Sequence, residues 1–93
     1  MMSVLIVGGD HLGNIEGRLK NIGFQEVLHI TGRKIQSVRS IPEKINYILV
    51  FTDYVNHNLS KKIKEKAKKQ QVHIFFAKRS WSSIHNVLEG LSY

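Results

Sequence analysis

Val4-Leu5-Ile6-Val7-Gly8-Gly9-Asp10-His11-Leu12-Gly13 is the stretch on which the fold turns. Its first four residues are apolar without alternation, which is how a strand covered on both faces reads. Two glycines then turn the chain into a segment whose apolar residues, Leu12, Ile15, Leu19 and Ile22, step by three, four and three before Gly23 stops them. A buried strand, a tight turn and an amphipathic helix make the first half of a βαβ unit.

The same pattern repeats outward from there. Three further strand-like runs follow: Val27 to Ile30, Tyr47 to Phe51 and Val72 to Phe76. Helical stripes lie between and after them. Ile35, Val38 and Ile41 step by three until Pro42. Leu59, Ile63 and Ala67 step by four behind Asn56 or Asn58 as caps, and Ile84, Val87, Leu88 and Leu91 follow Ser80 or Ser82. The order β-α-β-α-β-α-β-α with right-handed crossovers predicts an α/β fold, a small doubly wound three-layer sandwich. Its four-stranded parallel sheet is expected in the order 2-1-3-4, Rossmann-like or flavodoxin-like, as one domain over residues 1–93.

Composition bounds the function. Hydrophobic residues at 42% and charged residues at 23% are the balance of a globular chain rather than a disordered one. With no cysteine, a disulfide framework, a thiolate zinc site and a cysteine nucleophile are all excluded, and a cytoplasmic setting is expected. Val4 to Val7 is too short for a signal peptide, and Tyr47 to Phe51 falls far below the roughly 20 residues of a membrane span. The net charge of +7 directs attention to phosphate-bearing partners.

In a parallel α/β sheet, ligands bind beyond the carboxyl ends of the strands. The loops on that edge are Gly8-Gly9-Asp10-His11, Thr31-Gly32-Arg33-Lys34, Thr52 to Asn58 and Ala77-Lys78-Arg79-Ser80-Trp81-Ser82-Ser83. The first departs from the dinucleotide fingerprint G-x-G-x-x-G, since Asp10 stands at its second glycine. Arg33 and Lys34, where an acidic residue would grip a ribose, suit phosphate instead. The fourth has the composition of an anion cradle: Lys78 and Arg79 bring charge, Ser80, Ser82 and Ser83 bring hydroxyls and helix-terminal amides, and Trp81 can stack or pack. Arg79 and the Ser82-Ser83 amides are expected to form one anion site with the Gly8-Gly9 turn. On this reading Arg79→Ala weakens binding about tenfold and leaves the melting temperature nearly unchanged. Asp10, His11, Asp53 and His57 would suit acid–base or metal chemistry if they converged, yet no established metal spacing occurs and no metal or cofactor is implied.

Lys61, Lys62, Lys64, Lys66, Lys68 and Lys69 fan over roughly 200° opposite Leu59, Ile63 and Ala67. They form either a solvated face or a nucleic-acid surface, for which Lys61, Lys62, Lys64 and Lys68 are the candidates. No aromatic is interleaved with them.

Taken together, Val4 to Asp10 with its Gly-Gly turn, His29-x-x-Gly32, Asn56-His57-Asn58 and Arg79-Ser80-Trp81-Ser82-Ser83 resemble the bacterial domain-of-unknown-function 2325 family along essentially the whole chain. The resemblance implies a small stand-alone or carboxyl-terminal α/β domain without an established activity, and draws attention to Gly8, Gly9, His29, Gly32, His57, Ser80 and Ser83. Many such relatives carry a cysteine beside the third-strand motif and another in the next helix. Here Tyr54 stands near the first and there is no cysteine, which sets this chain apart from any redox or thiolate-metal role.

The expected function is a ligand-binding or regulatory domain holding a phosphate-bearing small molecule, a nucleotide first of all. Binding is favoured over catalysis because no nucleophile–base pair is spelled out. The alternatives are a basic nucleic-acid or protein interaction module and a metal-assisted phosphoester hydrolase. Ile74, Phe75 and Phe76 on an exposed edge strand lead us to expect a homodimer.

Overall fold

The computed structural model describes residues 2–31 and 41–89. Four parallel strands, β1 (Ser3–Val7), β2 (Glu26–Ile30), β3 (Tyr47–Phe51) and β4 (His73–Ala77), form one sheet in the order β2-β1-β3-β4. This is the expected order. β1 is central and apolar after Ser3: all five of its residues are buried, whereas β2 and β4, at the two edges, are mostly half-buried. Leu5 pairs with Leu28 on one side and Ile48 on the other, and β3 continues outward with Leu49 opposite Phe75.

The period of two in a strand divides these side chains between two cores. Val4, Ile6, Leu49 and Phe51 face Leu12, Ile15 and Leu19, of which the last two belong to α1 (Asn14–Asn21), together with Ile84 and Leu88 of α3 (Trp81–Leu88). Leu5, Val7, Ile48 and Val50 face Ile63 and Ala67 of α2 (His57–Gln70), joined by Ile41 and Ile45. Helices thus cover both faces, giving three layers. The predicted helix ending near Ile41 and the stripe position Leu91 lie outside the described residues, apart from Ile41 itself, which is buried.

The ends of the helices follow local chemistry. Asn56 caps α2 by accepting from the Leu59 amide at 2.9 Å, and Ser80 caps α3 by accepting from the Ser83 amide at 3.3 Å. α2 closes on Gln71 in the left-handed conformation (φ 58°, ψ 40°), with the amides of Gln71 and Val72 donating to Lys68 and Ala67. The Gln70 side chain then clamps the main chain at Ile41, accepting from its N–H at 2.9 Å and donating to its carbonyl at 2.7 Å. No described helix is long and apolar enough to cross a membrane.

Candidate functional site

At the carboxyl end of β1 the chain must turn within a closed space. Gly8 has φ +111°, and a Cβ there would lie 2.8 Å from Val55 Cγ2. Only glycine fits. Its N–H carries the β1–β2 ladder one step further, donating to Ile30 O at 2.9 Å, and His29 Nε2 donates to its carbonyl at 2.8 Å. His29 thus anchors the first loop from the neighbouring strand.

Arg79 ties three loops together. Its main-chain N–H donates to Asp53 Oδ1 at 3.0 Å, and its guanidinium donates to the His11 carbonyl through both Nη2 and Nε, the latter at 3.1 Å. The first and fourth loops therefore adjoin as expected. Of the amides named for an anion site, those of Gly8 and Ser83 already have partners inside the protein. Arg79 is therefore also a structural tie, which bears on the stability of any variant at this position.

Beside this junction a cleft of about 370 Å³ opens between α1 and α3. Leu12 and Ile15 form its apolar part, and Gly13, Asn14, Arg18, Arg79, Ser80 and Trp81 complete its lining. Gly13 is the N-cap of α1 and brings no side-chain cap, although the Ile15 N–H of the first turn donates to the Leu12 carbonyl at 3.0 Å. The Arg18 guanidinium lies 5.5 Å from the centroid of the Trp81 ring, within cation–π range. None of the lining residues is acidic.

A second cleft, of about 500 Å³, lies on the α2 side of the sheet and is lined by Thr52, Val55, His57, Ser60, Lys61, Lys64 and Phe76. The third loop is accordingly divided: Asp53 bonds to the fourth loop, while His57, exposed at the start of α2, belongs to the second cleft. Asp10, His11 and Lys78 are exposed. Among the described residues no group of three or more His, Asp or Glu is placed to hold a metal. Ser80 and Ser82 stand together, Oγ to Oγ at 3.5 Å. Gly32, Arg33 and Lys34 lie outside the described residues.

One lining residue went unnoticed in the sequence, and another was read for a different role. Arg18 sits on the polar face of α1 with no motif around it, and only the packing of α1 beside α3 brings it to Trp81. Phe76 read as part of an edge strand suited to self-association, and it is the fold that places it in one cleft lining with Lys61 and Lys64. The family model described as an uncharacterised protein conserved in bacteria (DUF2325) matches residues 3–91, and the chain belongs to that family. No curated protein and no solved structure matches it.

Proposed function

We propose that this DUF2325 member is a ligand-binding or regulatory domain that holds a phosphate-bearing small molecule, a nucleotide first of all, at the carboxyl edge of its sheet. The observation that carries this reading is the α1–α3 cleft, where a helix N-terminus without a side-chain cap meets two arginines and an indole. Amides at a helix N-terminus point at a bound anion, and the helix dipole favours it by about 0.3–1 kcal/mol. Arg18, exposed on α1, can leave the Trp81 ring to meet a phosphate, and the ring then has a face for a base. The cleft volume falls in the range of small-molecule pockets. The lining offers cations, a hydroxyl and amides but no carboxylate or imidazole. These are the parts of a binding site, with no general base among them.

Titration calorimetry with AMP, ADP and inorganic phosphate tests the proposal. Arg18→Ala should weaken the tightest of these about tenfold, near 1.4 kcal/mol, and leave the melting temperature within about 3 °C, since its side chain is exposed and a surface change is worth about ±0.5 kcal/mol or less. Arg79→Ala should weaken binding comparably and also lower the melting temperature. Absence of saturable binding by the native protein at millimolar ligand, or an unchanged affinity in Arg18→Ala, overturns the assignment.

A further inference from the structure

We propose that the second cleft, with the row of cations leading along α2, is a track for single-stranded nucleic acid, separate from the α1–α3 cleft. At 100° per residue, His57, Lys61, Lys64 and Lys68 fall within about 60° of arc on α2. At 1.5 Å per residue they span roughly 16 Å. That is a row rather than a point, and a row of cations suits a chain of phosphates better than a single one.

Part of this arrangement works against the helix, although Glu65 stands four residues from Lys61 and three from Lys68, and Lys68 lies in the last turn, where the helix dipole favours a cation. α2 carries six lysines and one acidic residue, Glu65. Lys61 with Lys64, and Lys64 with Lys68, are like charges at the three- and four-residue spacings where repulsion destabilises a helix. Among the described residues Lys61, Lys64 and Lys68 have no ion-pair partner; the ion pairs found are Lys20–Glu16 and Lys44–Glu26. An anionic strand laid along the row removes the repulsion.

The cleft supplies what a lysine face alone lacks. Phe76, half-buried on edge strand β4, lies beside Lys61 and Lys64, with Val55 at the cleft wall and the Ser60 hydroxyl near by. Stacking on an aromatic ring is the common means of holding unpaired bases without regard to sequence. A concave surface with a ring in it admits a splayed base, whereas a duplex groove is entered by a projecting helix or ribbon. Lys62 lies about 100° from Lys61 around the helix and leaves the row, so the candidates read from sequence reduce to Lys61, Lys64 and Lys68.

Fluorescence anisotropy of a labelled 12-nucleotide oligothymidylate, with its duplex as comparison, tests the track on the full chain. The Lys61→Ala/Lys64→Ala double variant should bind at least tenfold more weakly and lower the slope of log affinity against log salt by about 1.4. A Lys20→Ala/Lys69→Ala control removes the same charge and should lose less than threefold. Phe76→Leu should weaken binding several-fold, and Phe76→Tyr, which keeps the ring, should retain it even if the leucine variant folds poorly. Equal losses in the two double variants, duplex bound as tightly as single strand, loss of binding in Phe76→Tyr, or loss in Arg18→Ala instead of the lysine pair would each overturn the proposal. The last result places the strand in the α1–α3 cleft. Nucleotide binding by calorimetry is an independent readout, so either proposal can fail without the other.

Discussion

Among the described glycines, Gly8 is the one where an added Cβ meets the closest neighbour. Its φ of +111° is a backbone conformation that side-chain-bearing residues rarely adopt, and an added Cβ meets Val55, itself buried in the α2-side core. Gly8→Ala should therefore cost more than about 2 kcal/mol from strain and overpacking combined. A thermal melt would record a fall of at least about 8 °C, and a variant melting within a degree or two of the native protein would refute this account. The double glycine was legible in the sequence as a tight turn, but its reason was not, because Val55 lies 47 positions away. Arg79 likewise read as a free cation beside serines. Its tie to a main-chain carbonyl of another loop leaves no trace in residue types.

At the level of elements, α2 ends on a non-glycine residue in the left-handed conformation, an arrangement that costs roughly 1–2 kcal/mol outside glycine. Gln71→Gly should stabilise the protein by about 0.5–1 kcal/mol, net of the extra freedom glycine gives the unfolded chain, and raise the melting temperature by roughly 3–6 °C. Circular dichroism melts check this, and a lowered melting temperature would mean that the Gln71 side chain contributes contacts of its own. Helices and strands were the most legible level. The stripe Leu12-Ile15-Leu19 and the cap Ser80 are local signals, and both hold. The Gln70 clamp on Ile41 was invisible, since a glutamine at a helix end has no preferred partner until the crossover brings the chain back past it.

For the whole molecule, the parallel order β2-β1-β3-β4 leaves each outer strand with one side unpaired among the described residues. Half-buried Ile74, Phe75 and Phe76 lie on one of them, and we expect two copies to join there. Light scattering at high micromolar concentration should give a dimer mass, and Lys or Pro at Ile74 should return it to that of a monomer; a monomer mass for the native chain would refute edge pairing. The sheet order was readable because nearly continuous apolar runs allow few arrangements. The division of one sheet edge into two clefts was not, since it depends on which side of the sheet each loop falls. The first loop is held from outside itself through its main chain, His29 donating to the carbonyl of Gly8 and Arg79 to that of position 11. A peptide carbonyl is present whichever amino acid is encoded, so positions 10 and 11 can drift in sequence without loosening the loop they belong to.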